Sequence, residues 1–433
     1  MNFFETISKI LFFLLFLQFG VFSFLSPDNE KKPKEKDQDL ITLASINSNN
    51  KGMQLDPIII LPGLGGSRIE AKLENFDSNH WFCKENKDWF STWLNIEVLV
   101  PEIIECFNEY FSFEYDPETR YSYDKKGAST RPITGSKGLE NLDPTLSFIE
   151  AIAYFAKMLE KLRTFGYQEG KTLFPITYDW RLSPRNLTEL FELVKYTIEY
   201  ASEINSGSKV HLISHSMGCF ISTLFFAQQT QEWKDRYIAT WIPLSPPMGG
   251  VMDSLIGLFY GINFGIPIVT GSEVLSMERT FPSLYFFVPH SPYWTKPVVT
   301  TPTKEYYPTL QDIHQLLSDL DFPQSSHDML DDNWDDGSVL TAPGVPTFFQ
   351  IGSGLNTPIQ IQYSDHLGGD YNIIQADGDG CTPSEVMTIA CEEWPKQQTQ
   401  TVECFIWGGA GHGDTVSDDV IIEEVIRILA THS

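Results

Sequence analysis

The sequence predicts a mostly parallel α/β sheet. Two patterns predict it. Short, wholly apolar runs alternate along the chain with longer segments of helical spacing. One such run, Val210 to His215, enters a small-residue turn at Ser216 and then the apolar helix pattern from Met217. Strands alternating with helices favour one sheet covered on both faces.

The elements follow in order. Pro57 to Pro62 reads as a buried strand, and Pro144 to Gly166 as a helix. Phe174 to Arg181 reads as a strand and its exit, and Leu187 to Ile204 as a helix. After the Ser216 turn come an apolar helix and a strand at Ile238 to Leu244. Val251 to Ala342 is rich in Pro, Phe and Tyr with weak periodicity, and reads as an inserted cap. Strand character resumes at Thr347 to Gly352 and Val402 to Trp407, and Val420 to Ala430 closes as an amphipathic helix.

Ahead of these, Lys9 precedes the apolar run Ile10 to Leu17. The pattern predicts a signal peptide over 1–24 and a polar linker over 25–55. Val21-Phe22-Ser23 is a poor small-x-small cleavage site, so an uncleaved signal anchor is the alternative. A secretory route leads outside the cell or to a lysosomal or vacuolar lumen, and it permits disulfides. It also gives meaning to the sequon Asn186-Leu187-Thr188 and to six cysteines, Cys83, Cys106, Cys219, Cys381, Cys391 and Cys404. Their spacing suggests no zinc site, and nothing calls for a metal or cofactor. The formal charge of −27 excludes a nucleic-acid partner, whose phosphates need a basic surface.

The turn at Ser216 reads as a nucleophile elbow, the strained strand-to-helix turn that exposes a serine. Its neighbours two before and two after must be small. Gly218 satisfies one position, and Ser214 stands where glycine is usual, adding only a hydroxymethyl group. Upstream, Gly63-Leu64-Gly65-Gly66-Ser67 follows the first strand, where a hydrolase places its oxyanion loop. It has neither the Lys-Ser/Thr nor the Gly-x-Gly-x-x-Gly of phosphate loops.

A serine hydroxyl needs a histidine to take its proton and a carboxylate to orient that histidine. In α/β-hydrolases these follow in the order Ser, Asp or Glu, His. Asp377 and Asp379 compete for the acid in one glycine-rich turn, and His412, in a second, is the base of choice. His366 and His432 have poorer contexts, and His215 adjoins the serine facing the wrong way. The aromatics Trp81, Phe82, Trp89, Phe90 and Trp93 read either as an interfacial patch or as the packing of a subdomain.

Several longer segments resemble the lecithin:cholesterol acyltransferase family, most nearly its lysosomal phospholipase/acyltransferase branch. They are Leu61 to Leu73, Trp93 to Glu97 with Pro101 to Cys106, Tyr178 to Arg181, His215 to Gly218, Trp233 to Ile238 and Asp377 to Gly380. The resemblance runs from about residue 56 to the C-terminus. It implies an α/β-hydrolase fold over 56–433 with a membrane-binding insertion at 68–116 and a cap at 251–342. It also implies Ser216 as nucleophile, Asp379 as orienter and His412 as base, with oxyanion donors on the amides of Leu64 and Met217. It places Trp81, Trp89, Phe90 and Trp93 at a membrane or lipoprotein surface, and a Cys83–Cys106 disulfide closing that segment. The substrates implied are a phospholipid and, as acyl acceptor, water or a lipid alcohol. A soluble carboxylesterase and a catalytically inactive lipid-binding protein are the alternatives on this scaffold. The sequence departs from the family at Ser214, at Cys381 in place of threonine, and at Gly413-Asp414 after the histidine. The usual upstream partner of Cys391 is missing, so Cys391–Cys404 is the substitute pairing.

Overall fold

A computed structural model describes residues 55–100, 103–144, 152–266 and 268–432. The expected signal peptide, and the linker apart from its last residue, lie outside these.

Six strands form the central sheet: β1 (Ile58–Leu61), β2 (Leu173–Pro175), β3 (Val210–His215), β4 (Ile238–Leu244), β5 (Thr347–Ser353) and β6 (Val402–Gly408). Their order is β6-β5-β4-β3-β1-β2, and every pairing is parallel. The four residues of β1 and the six of β3 are all buried, as expected of strands covered on both faces. Successive side chains alternate between two cores. Ile59 and Leu61 pack into one with Phe191, Val194 and Phe220, while Ile58 and Ile60 pack into the other with Leu159, Leu162, Ile422 and Val425. Helices Thr188–Ile204 and Met217–Ala227 thus lie against one face, and Ala156–Phe165 and Asp419–Thr431 against the other. The fold is that of the α/β-hydrolases.

Two expected elements differ. Of the helix read over 144–166, residues 145–151 lie outside the described residues, and the described part is helical over Ala156–Phe165, ending where Gly166 turns to φ 121°. The strand read from Phe174 stops at Pro175. Beyond it Tyr178 and Trp180 turn inward, and their side chains donate to the carbonyls of Pro62 and Ser67 in the loop after β1.

Two excursions leave the sheet. The first holds a three-stranded antiparallel sheet, in the order Lys87–Trp93, Ile69–Leu73, Ala128–Pro132, and the helix Ile104–Phe111. Its last strand carries the excursion past residue 116, because Ala128–Pro132 pairs along the whole of Ile69–Leu73. Cys83 and Cys106 are disulfide-bonded with their Cα atoms 5.5 Å apart. The second contains the helices Met252–Tyr260, Gly271–Glu278, Pro282–Phe286, Leu310–Asp319 and Gln324–Gly337. It extends past 342: Val299–Thr300 pairs with Leu355–Tyr363, which pairs in turn with Tyr371–Gly378. Cys391 and Cys404 form the second disulfide. Among the described residues no helix is long and apolar enough to cross a membrane.

Candidate active site

Ser216 caps the helix Met217–Ala227 with φ 51° and ψ −123°, a backbone conformation that a non-glycine residue adopts only under constraint. Close packing supplies the constraint. A Cβ on Gly218 would lie 2.6 Å from the carbonyl oxygen of Leu61, and one on Gly63 would lie 2.6 Å from Cβ of Ser216. Glycine is required at both places. Serine is accommodated at 214 because its buried hydroxyl accepts a 2.7 Å hydrogen bond from the Trp241 indole.

Ser216, His412 and Asp379 come together from three loops. Oγ of Ser216 lies 2.9 Å from Nε2 of His412, and Nδ1 of His412 lies 2.7 Å from Oδ2 of Asp379. The other carboxylate oxygen accepts from the amides of Cys381 and Thr382, at 2.9 and 2.6 Å. Asp379 is 1% exposed. Burial alone would raise its pKa, but His412 and those two amides hold it below the ordinary carboxylate range. For His412, burial opposes protonation, yet Asp379 and, more weakly, Asp253 hold its pKa above the ordinary imidazole value.

Asp379 does not follow a strand of the central sheet. It follows Tyr371–Gly378 in the smaller sheet. That strand returns against Leu355, just past the end of β5, and brings Asp379 so close to Gly352 that a Cβ there would meet it at 2.9 Å. The competing Asp377 is exposed and bonds elsewhere, accepting from the Gly354 amide and the Ser384 hydroxyl. His366 bonds its neighbour Asp365. His432 lies at the end of the closing helix.

Beside the serine, the loop after β1 is held by four aromatic side chains. The Tyr154 hydroxyl accepts from the Gly63 amide, and Tyr178 donates to the carbonyl of Pro62. The indoles of Trp93 and Trp180 donate to the carbonyls of Gly65 and Ser67. Within the loop the Gly66 amide bonds the Gly63 carbonyl, with Gly65 at φ 72°. The amides of Leu64, in the loop after β1, and of Met217, next to Ser216 in the chain, donate to no group among the described residues.

The aromatics of the first excursion divide. Trp81 is 94% exposed, with Phe82 beside it edge to face. Trp89 and Phe90 are half-buried, the first under the Arg131 guanidinium and the second under the Lys87 ammonium. Trp93 corrects the expectation of lipid contact: it is 4% exposed, because its indole is drawn inward to Gly65 and packs against Trp180 and Phe264. Asn186 is half-buried in the short 3-10 turn Pro184–Asn186. Cys219 is a buried free thiol donating to the Ser214 carbonyl, and Cys381 is a partly exposed one. Among the described residues no group of three or more His, Cys, Asp or Glu is arranged to hold a metal ion.

Two residues near the site, Tyr154 and Asp253, escaped the sequence reading, and His215 was read as facing away from Ser216 but given no role. His215 is buried and bridges Tyr154 and the His412 carbonyl. Tyr154 gave no signal, since it lies 91 residues from Gly63, which it holds. Asp253, at the start of the helix Met252–Tyr260, is a carboxyl whose pKa burial pushes to about 6, beside Cys381 and His412.

The family model of lecithin:cholesterol acyltransferase matches residues 89–342, more than half of the chain. The chain belongs to that family. Lysosomal phospholipase A and acyltransferase of Canis lupus familiaris is 31% identical over 86% of this chain and 91% of its own length. The Homo sapiens protein of that name is 30% identical over 86% and 90%. Phosphatidylcholine-sterol acyltransferase of Rattus norvegicus is 29% identical over 86% and 84%. Among solved structures, the Tle4–Tli4 complex aligns over 87% of this chain and 99% of that one, at 11% identity and a TM-score of 0.45. So loose a likeness carries no argument; the fold rests on the sheet order and the family.

Proposed function

We propose that this family member, an enzyme of the lipase and acyltransferase type, moves a fatty acyl group from a phospholipid to water or a lipid alcohol through an acyl-enzyme on Ser216. The observation that carries the reading is the continuous Asp379–His412–Ser216 hydrogen-bonded chain.

Ser216 Oγ attacks the ester carbonyl while its proton passes to Nε2 of His412. The new oxyanion sits between the Leu64 and Met217 amides, which donate to no group among the described residues. Collapse breaks the ester C–O bond, and the departing lysophospholipid oxygen takes the proton back from Nε2. Water or an alcohol then loses its proton to the same nitrogen and attacks the acyl-serine, and the proton returns to Oγ. Asp379 stays ionised throughout, holding Nδ1 protonated and facing it.

The exposed Trp81 and Phe82, on the segment closed by the Cys83–Cys106 disulfide, are offered as the contact with a lipid surface. The relatives' names and the N-terminal apolar run support a place in the secretory pathway.

Deacylation of phosphatidylcholine liposomes by Ser216→Ala tests the reading. Activity should fall to background, and undiminished turnover would sink it. In the same assay Trp81→Ala should bind vesicles more weakly while cleaving a monomeric ester normally; unchanged vesicle binding removes the lipid-contact role.

A further inference from the structure

The indole of Trp93 enters the site from outside the central fold. Trp93 is the last residue of its strand and pairs with Ile69 in the disulfide-closed excursion. Its Nε1–H donates to the carbonyl of Gly65 at 2.8 Å, in a buried environment. Phe264, from the second excursion, stands edge-on to the indole, with ring centroids 5.1 Å apart. A Cβ on Gly65 would touch both rings, at 3.5 and 3.8 Å. The loop is otherwise held from the central fold, through Tyr178 at Pro62 and Trp180 at Ser67, and through Tyr154 at Gly63. Among the described residues, Trp93 is the side chain hydrogen-bonded to Gly65, on the far side of the tight turn that carries Leu64. The Gly65 carbonyl and the Gly66 N–H share one peptide plane, the Gly66 N–H bonds the Gly63 carbonyl, and that carbonyl shares its plane with the Leu64 N–H.

We propose that Trp93 is a positioning residue for the Leu64 amide, acting through the Gly65 carbonyl, so that the oxyanion site is completed by the segment that carries Trp81. The proposal rests on Ser216 being the nucleophile. Preorganised donors work only when aimed at the developing charge, and small misplacements far from the reacting atoms are costly in rate.

The test is the rate at which a fluorophosphonate probe labels Ser216, alongside kcat and KM on a monomeric ester. Trp93→Phe keeps an aromatic ring and removes the donor. It should label about tenfold to a hundredfold more slowly, with kcat reduced to match and KM unchanged. Trp233→Phe removes an indole donor that bonds Glu199, outside the loop after β1, and should stay near the wild-type rate. Where the Phe variant does not fold, 3-benzothienylalanine at position 93 keeps the shape of the ring, replaces its N–H by sulfur, and is read in the same way. Wild-type labelling rate in the donor-less protein overturns the role of Trp93, while an unlabelled Ser216→Ala leaves the nucleophile standing. Equal slowing in the Trp93 and Trp233 variants assigns the effect to general packing and also overturns it. A wild-type protein that does not label overturns both readings.

Discussion

The Tyr154 hydroxyl lies 2.5 Å from Nδ1 of His215, and this contact fixes the protons along a chain that joins the loop after β1, the Ser216 turn and the His412 loop. Nε2 of His215 faces the carbonyl of His412 at 2.9 Å, so Nε2 carries the hydrogen and Nδ1 must accept. Tyr154 therefore donates to Nδ1, and its oxygen accepts from the Gly63 amide at 2.9 Å. Burial, reinforced by the nearby His412, pushes the pKa of His215 down to about 3 and keeps it neutral. The oxyanion loop, the elbow and the histidine loop are thus tied by one directional sequence of hydrogen bonds.

Tyr154→Phe cuts that sequence at its middle. It leaves an amide and an imidazole nitrogen unpaired in a closed environment, each costing about 1–3 kcal/mol. Thermal unfolding should show a lower midpoint, and kcat should fall while KM for a monomeric ester holds. An unchanged midpoint with unchanged kcat would remove the network from the account.

Asp253 adds to the raised pKa of His412. Its ionised form favours the imidazolium of His412, whose pKa is already raised chiefly by Asp379 against the effect of burial. Asp253→Asn removes a stabiliser of the protonated form, so His412 should lose its proton at lower pH. The acid limb of the kcat/KM profile should move to lower pH. A limb that stays in place, or moves to higher pH, contradicts the assignment.

Glu278 makes the fold itself more stable in acid. It is fully buried, accepts one bond from the Ile262 amide, and its Oε1 has no partner among the described residues. Burial pushes its pKa from 4.5 to about 8, so between these values the unfolded chain is ionised at this position while the folded chain holds a proton. The unfolded state then binds fewer protons, and stability must fall as pH rises through that window. Glu278→Gln, neutral in both states, should flatten this part of the denaturation-versus-pH curve. An unaltered slope would show that Glu278 does not contribute to it.

The sheet was legible because its strands are buried on both faces and read as unbroken apolar runs, as in Ile58-Ile59-Ile60-Leu61. The Ser216 turn was legible because Gly218 has no room for a side chain. Asp379 could not be separated from Asp377 by local pattern, since what distinguishes them is the return of Tyr371–Gly378 to the end of β5. Trp93 looked like Trp81 in sequence and differs from it in space, because a partner 28 residues away in the chain draws it inward. The roles of Tyr154, His215 and Asp253 arise from contacts between distant segments, which periodicity does not carry. The cap had weak periodicity because it is built from short helices packed on several sides, down to the five residues of Pro282–Phe286, all buried.

The central claim is that acyl groups pass through Ser216. Rapid-quench digestion during turnover of a defined mixed-chain phosphatidylcholine, with peptide masses read at once, tests it most directly. One acyl adduct is expected, on the peptide that carries Ser216, which decays faster when an alcohol acceptor is added and appears there as ester. Turnover with no adduct on that peptide, or with the acyl group on another residue, would contradict it.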